Sequence, residues 1–322
     1  MKIYIQDKGQ ALGPFSEEEV RHKIYSGEFP RECLACPEGG QDWAPLETVL
    51  RQGAVALPTI TSPAVSLEKL RDPKEKTALV WLYIASVLGW IILLALIVST
   101  VGILLAIILL GFLIRAFGEM MFVAYLKSNA VRVSPTQLPE VFSIVQNSCA
   151  RLNMPAPEVY VMQQNVWNSF AAKVFGRRMV VLLSGAVDSI LLKGDLQELS
   201  WLVGHELGHH WAGHFNFSQK LASLGDWCIW VALWRSRRGE FTCDRVGLYC
   251  AGSLKASQRA IVNATVGAQL AGRVSVEEAI NQWRQHSGEF FVRYRALYST
   301  HPHLLARLDY LSTVAQEFGI RS

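Results

Sequence analysis

No charged residue occurs between Thr77 and Ile114, in the run TALVWLYIASVLGWIILLALIVSTVGILLAIILLGFLI. As one α-helix at 1.5 Å per residue this run would be about 57 Å long, nearly twice the roughly 30 Å hydrocarbon layer of a bilayer. It is too long for a single buried helix and predicts two membrane spans. The break falls around Ser99, Thr100 and Gly102, giving spans near 78–98 and 102–121, the second continuing past Arg115. Lys69, Arg71, Lys74 and Lys76 precede this hairpin, and Arg115, Lys127 and Arg132 follow it. Topology follows cations more than net charge, so Glu68, Asp72 and Glu75 carry little weight and both flanks are expected in the cytosol. The first residues, MKIYIQDKGQ, lack the apolar core of a signal peptide, which places the amino terminus on the same side.

With 322 residues, the chain has room for soluble parts on both sides of the hairpin. The Pro/Ser/Thr-rich LPTITSPAVS, Leu57 to Ser66, separates an amino-terminal module from the membrane. The module reads as a strand (KIYIQ), a turn, a helix entered at Ser16 (SEEEVRHKIYSG) and a closing CPEGGQDWAPLETVL. The expected boundaries are 1–56 for the module, 57–76 for the linker, 77–124 for the transmembrane hairpin and 125–322 for one further domain. In that domain a helix starts near Ser134, and EVYVM, SFAAKVF and RMVVLLS read as short strands with VFGRRM as a turn. From Leu196 onward the periodicity is helical. The apolar run Leu221 to Trp234, interrupted by Asp226, is too short to span and is expected to be a core or membrane-contacting helix.

The net charge of +4 and the absence of a basic stripe interleaved with aromatics give nucleic acid little support as a partner, and none is expected. Six scattered cysteines suit a reducing compartment, and the lone C-x-x-C of Cys33 and Cys36 lacks the second ligand pair of a structural zinc site.

The chemistry concentrates in VGHELGHHWAGH, Val203 to His214. On a helix His205 and His209, four residues apart, project from one face and can reach one zinc ion. Glu206 reaches the open coordination position from the side, as a general base for water must. His210 lies 100° round from His209, and continuous helix would carry His214 to the opposite face, so both are expected to be bystanders. Gly204, Gly208 and Gly213 are poor helix formers whose presence suggests close approach of another backbone.

A third ligand by the pattern H-E-x-x-H-x-x-G-x-x-H would need glycine at 212 and histidine at 215, where Ala212 and Phe215 stand. A later helix offers Glu240 with Asp244 one turn on, in RRGEFTCDRVGLYC. Glu240 would face the metal, while Asp244 on the same face would accept an N–H from a ligand histidine and fix its tautomer. Two histidines, a glutamate and a water form a known catalytic zinc set. The competing assignment for Glu240 and Asp244 is a solvated helix face paired with Arg237, Arg238 and Arg245. Cys243 is a conceivable further ligand, but its direction favours a small core residue.

NSFAAKVFGRRMVVLLSGAVDSI, VGHELGHHWAGH, GEFTCDRVG and STHPHLLARLDYL stand in the order found in M48 metallopeptidases, and residues 130–315 resemble the HtpX-like members. The resemblance implies a mainly helical, gluzincin-type α+β peptidase domain with a small antiparallel sheet, and one Zn2+ per chain at His205, His209 and Glu240. It further implies Glu206 as general base and an active-site edge strand at Asn168, Ser169, Phe170 and Ala171, where Ser169 replaces a common alanine. His301 resembles a family position near the active site and is a catalytic candidate, with an ordinary capping or surface role as the alternative, and Arg307 is expected to anchor it or to stabilise an oxyanion. GPFSEEEV and DWAPLETV resemble the small α+β GYF domain, a binder of proline-rich peptides; Tyr4, Phe15 and Trp43 are the candidates to line such a groove, with a place in the core of so small a domain as the alternative. The expectation is a membrane-anchored zinc endopeptidase, its soluble parts cytosolic (at the inner membrane if bacterial), acting on proteins or peptides in quality control or processing. The alternative is a non-catalytic membrane scaffold that binds partner peptides through the GYF-like module.

Overall fold

In the computed structural model of the chain, Ile3 and Ile5 alternate with less buried neighbours and are themselves fully buried, which makes Lys2–Asp7 a half-buried strand, β1. The structure describes residues 65–100, 102–164 and 168–320 and, within the first 50, residues 2–7, 10–16, 19–20, 23, 28–30, 33–40, 42–46 and 48–49. Most of the helix expected over SEEEVRHKIYSG, and the linker expected from Leu57 up to residue 64, lie outside the described residues. The fold divides into two units, Met1–Thr61 with Val187–Leu196, and Ser62–Ala186 with Gln197–Ser322.

In the first unit β1 pairs antiparallel with β2 (Gln10–Ser16) and β3 (Leu34–Pro37), and β3 pairs with β4 (Ala44–Pro45), in the order β2-β1-β3-β4. Ser16 accepts from the Glu19 N–H at 3.2 Å while Glu19 accepts from the Ser16 N–H at 2.7 Å, the reciprocal cap that the sequence signals there. Ile3, Ile5, Val20, Phe29, Cys33, Ala35, Leu46 and Val49 form the core. Phe15 sits opposite Ile3 and packs on this core with its ring 5.6 Å from Phe29, whereas Tyr4 points to the other face and Trp43 is exposed. Of the three candidate groove aromatics, Tyr4 and Phe15 do not share a face, because they occupy opposite phases of the strand alternation, and Phe15 takes the alternative place in the core.

The second unit begins with a 3-10 turn, Leu67–Leu70, and helix α1 (Pro73–Ser99). Pro73 takes the first helical position and Asp72 caps it, accepting from the Lys74 N–H. Thr100 closes α1, and Gly102, at φ 82°, starts α2 (Ile103–Asn129), so the break falls where the sequence predicts it. Each helix has 27 residues and both are long and apolar enough to cross a membrane. Outward-facing side chains such as Leu94, Val98, Ile107 and Phe112 stay exposed, which suits lipid as their solvent. Ser66 to Lys76, expected as the end of a linker and the hairpin flank, contain buried Leu70, Asp72 and Glu75.

After α2 come β5 (Val131–Arg132), α3 (Pro139–Arg151), β6 (Glu158–Met162), β7 (Ser169–Val174) and β8 (Arg177–Leu183). The sheet order is β5-β6-β8-β7. The sheet is mixed: β5 with β6 and β7 with β8 are antiparallel as expected, but β6 with β8 is parallel. This follows from the hairpin at Phe175 and Gly176, whose φ values of 46° and 80° make the tight two-residue turn that sends β7 to the edge. One face of the sheet packs on the end of α2, through Phe122, Val123 and Leu126.

The remainder is helical: α4 (Ser184–Lys193), α5 (Leu196–Trp211), α6 (Phe217–Ala222), α7 (Ile229–Ala251), α8 (Leu254–Val266), α9 (Ala268–Ala271), α10 (Val276–His286), α11 (Phe290–Leu297) and α12 (Leu304–Phe318). The run Leu221 to Trp234 is not one helix: α6 ends at Ala222, a 3-10 turn covers Ser223–Gly225, and α7 starts at Ile229. That corner seats on α1. A Cβ on Gly225 would lie 2.5 Å from the Leu82 carbonyl oxygen, the Ser86 hydroxyl donates to the Ala222 carbonyl, and the Trp227 indole donates to the Ala85 carbonyl. Glu75, Ala78, Leu82 and Ser86 thus form the buried stripe of an otherwise exposed helix.

Candidate metal centre

Two glycines on α5 let it meet α7 backbone to backbone. A Cβ on Gly204 would fall 2.6 Å from the Cys250 Cβ, and one on Gly208 would fall 2.9 Å from the Cys243 Cα. The crossing brings Glu240 to both helix-borne histidines. The His205 Nε2 lies 3.5 Å from Glu240 Oε2, and the His209 Nε2 lies 3.7 Å from Glu240 Oε1. His205 and Glu240 are buried, and Asp244 is inaccessible. The solvated-face alternative for Glu240 and Asp244 does not fit: Arg245 instead donates to Glu317 and to the Lys69 carbonyl, and Arg237 to the Ser299 carbonyl.

Each remaining predicted residue has a definite place. His205 Nδ1 lies 3.1 Å from Asp244 Oδ1, and Arg307 grips Asp244 with Nε at 2.8 Å and Nη2 at 2.6 Å. Arg307 is therefore engaged with Asp244, and among the described residues it makes no hydrogen bond to His301. His301 comes from the loop before α12, its Nε2 3.6 Å from Glu240 Oε1 and its side chain largely exposed. β7 is the terminal strand of its sheet, with Asn168 just before it. Phe170 faces α2, its ring 6.3 Å from Phe122, while the Ser169 hydroxyl on the opposite phase donates to Glu206 Oε1 at 2.7 Å. Ala171 shares the phase of Ser169.

The electrostatics assign different tasks to these groups. Burial pushes the Glu206 carboxyl up, against the opposing charge of His205 and the Ser169 hydrogen bond. Burial also pushes Glu240 up, but the hydrogen bond and charge of His205 and the charge of His209 outweigh it, holding this carboxyl well below the usual range. His209 is driven down to about 3, chiefly by burial, and stays the neutral imidazole that a metal needs. Burial alone would lower His205 as well, but hydrogen bonds to Asp244 and Glu240 prevail and raise it to about 9. Cys243 also has its sulfur within 4.8 Å of nitrogens of His205 and His209. Its thiol is driven well above its ordinary value by burial and by the surrounding carboxylates, first among them Glu240. The ready anion is therefore Glu240, and Cys243 fills the contact against Gly208. Among the described residues no metal-holding group includes Cys33 or Cys36, and Cys33 belongs to the first unit's core.

His210 and His214 separate at this point. His210 is a structural donor to the Met179 carbonyl at 3.0 Å. His214 is not a bystander: α5 stops at Trp211, Gly213 takes φ 79°, and the chain turns back so that the His214 Nδ1 lies 2.9 Å from the His209 Nδ1. The signal in the sequence was Gly213 just after the last helical turn, which is the usual place for a helix to end.

Residues 135–234 match peptidase family M48, and residues 4–50 match GYF domain 2. The chain is 25% identical over 236 residues to a protease HtpX homolog of Thermococcus kodakarensis, covering 60% of this chain and 79% of that protein. It is 25% identical over 239 residues to the protease HtpX homolog of Moorella thermoacetica, covering 60% and 78% respectively. A third relative is the plastoglobule-localized metallopeptidase 48 of Arabidopsis thaliana, 25% identical over 175 residues, of which the chain spans about half the length (49%). No solved structure matches the chain. The chain thus carries an HtpX-like metallopeptidase domain of family M48 together with an amino-terminal GYF domain.

Proposed function

We propose that the protein is a membrane-anchored, zinc-dependent endopeptidase that hydrolyses peptide bonds of protein or peptide substrates. The observation that carries this reading is the convergence of the His205 and His209 Nε2 atoms on the Glu240 carboxylate, with Glu206 buried beside them. Ligands of a tetrahedral zinc at about 2.0–2.2 Å stand roughly 3.3–3.6 Å from one another, and the separations of 3.5 and 3.7 Å suit such a set. One carboxylate and two imidazoles are also the right donor chemistry. Zinc bound there would supply Lewis acidity, polarising the scissile carbonyl and acidifying water.

The chain's own groups do the rest. Glu206 takes the proton of the attacking water and returns it to the leaving amine, and the Ser169 hydroxyl holds its carboxylate in place. The free edge of β7 pairs with substrate backbone by strand addition, with Asn168 to Ala171 nearest the site. His301, reaching over Glu240 from its loop, donates a hydrogen bond to the developing oxyanion. Asp244 and Arg307 act one step back, orienting His205. The cationic flanks of the hairpin put both soluble parts in the cytosol, where the GYF domain captures proline-rich segments and the peptidase serves quality control or processing. A non-catalytic scaffold would have no need of a buried base poised beside the histidines.

The test is Glu206→Gln in the full chain, assayed on casein with zinc content measured in parallel. Hydrolysis should be abolished with zinc still bound, and Glu240→Ala should lose the zinc. Casein cleavage persisting in Glu206→Gln would overturn the mechanism.

A further inference from the structure

We infer that Glu75, in the first turn of the membrane-hairpin helix α1, positions the metal ligand His209 by acting through His214. The inference rests on the reading of His205, His209 and Glu240 as the metal set and adds to it a positioning chain that enters from the membrane anchor.

The chain is continuous. With the His209 Nε2 turned to Glu240, its Nδ1 faces the His214 Nδ1 at 2.9 Å, and the His214 Nε2 faces Glu75 Oε1 at 2.8 Å. With both imidazoles neutral and Glu75 ionised, one protonation pattern satisfies every atom. His209 donates from Nδ1–H, His214 accepts at Nδ1 and donates from Nε2–H, and the Glu75 carboxylate accepts. That pattern leaves the lone pair of His209 on Nε2, the atom a metal would use. Glu75 is 4% exposed, so it is not a solvated flank charge, and its other oxygen accepts from the Thr242 hydroxyl at 2.5 Å. Thr242 in turn accepts from the Asp72 N–H at 2.9 Å, and Arg71 lies 3.4 Å from Glu75 Oε1. Gly239 is part of the device, since a Cβ there would press to 3.0 Å from the His214 ring. A histidine ligand ordinarily hands its second nitrogen to a carboxylate or carbonyl, and here a second imidazole extends that reach across to α1.

A clasp that merely docks α1 on the peptidase domain would use the same bonds, and Ser86 separates the two roles. Its hydroxyl also anchors α1, to the Ala222 carbonyl at 2.7 Å, without touching the histidines. Full-length protein in detergent would be stripped of metal and titrated with zinc against a chelator, then with Co2+ to read the ligand field by visible absorption. His214→Phe, which keeps a ring but removes the acceptor, should weaken zinc binding by roughly 10- to 100-fold. Glu75→Gln should weaken it by roughly tenfold. Both should shift the cobalt bands, whereas Ser86→Ala should leave affinity and spectrum as in the wild type. The double variant should bind no more weakly than His214→Phe alone, because Glu75 acts through His214. Should His214→Phe fail to fold, the affinity and cobalt spectrum of the near-isosteric Glu75→Gln decide the matter. Unchanged zinc affinity in Glu75→Gln beside a tightly binding wild type overturns the inference alone, as does an equal loss in Ser86→Ala. A wild type that takes up no zinc, or a Glu240→Ala that binds it as well as the wild type, overturns the metal reading and the inference with it.

Discussion

The two histidines of α5 are held from behind in different ways. The His205 Nδ1 meets Asp244 directly, and Asp244 is gripped at two points by Arg307, all of it on helices α5, α7 and α12 of the peptidase domain. The His209 Nδ1 meets another imidazole, and the carboxylate beyond it belongs to the membrane hairpin. The first arm is short and fully ion-paired. The second is longer, and its nearest cation, Arg71, stands 3.4 Å from Glu75 with a side chain 25% exposed. A paired carboxylate with no access to water depends on its partner far more than one supported mainly by neutral donors.

The largest expected effect would break that contrast at its charged end. Arg307→Met takes from the buried Asp244 its two-point cation and leaves only His205 against it, and removing one partner of a buried pair costs about 3–5 kcal/mol. Arg71→Met removes a cation that is 25% exposed from a carboxylate that keeps its donors His214 and Thr242, and should cost less, about 1–2 kcal/mol. Thermal unfolding of the two variants checks this. Equal losses would mean that the arms are equivalent, against the difference in burial.

The next effect concerns the metal. Asp244→Asn keeps its volume but weakens the anchor of His205, so zinc affinity should fall by roughly 10- to 100-fold. Proton release sharpens the comparison further. His205, with a pKa raised to about 9, is protonated through the neutral range in the metal-free site, whereas His209, lowered to about 3, is already neutral. A metal must displace the proton from His205 but none from His209. Affinity should therefore rise about tenfold per pH unit between pH 6 and 8 and level off near pH 9. Chelator-competition titrations at several pH values measure the slope, and a hundredfold rise per unit would show that both arms carry protons.

How much of this arrangement the sequence discloses depends on whether spacing or chain reversal sets it. The i, i+4 spacing of His205 and His209 and the Glu240 to Asp244 turn are local, and each places its side chains on one face as helical geometry dictates. The uncharged run 77–114 likewise locates both long helices and the break at Gly102. His214 was hidden because continuous helix was carried past Trp211, where Gly213 ends it. Glu75 was hidden because an acid among lysines reads as a solvated flank, and only the packing of α1 on α7 buries it. The parallel pairing of β6 with β8 was hidden for a similar reason, since alternation fixes the face of a strand but not its neighbour.

The smallest expected effect tests Glu206, the proposed base beside both arms. Ser169 donates to Glu206 at 2.7 Å, and this bond is one of the influences that restrain the upward push of burial on the Glu206 carboxyl. Ser169→Ala removes it. The carboxyl should then hold its proton to higher pH, so the acid limb of the kcat/KM profile should move upward while the basic limb stays. With the hydrogen bond to a charged group lost, kcat should fall by roughly tenfold at neutral pH, with KM within about twofold of its original value. Zinc affinity should not change, because neither arm touches the serine. A Ser169→Ala enzyme with an unshifted acid limb would mean that Glu206 is positioned by the metal site alone. A fall in zinc affinity would mean that the edge strand, and not only the helices, holds the metal ligands in register.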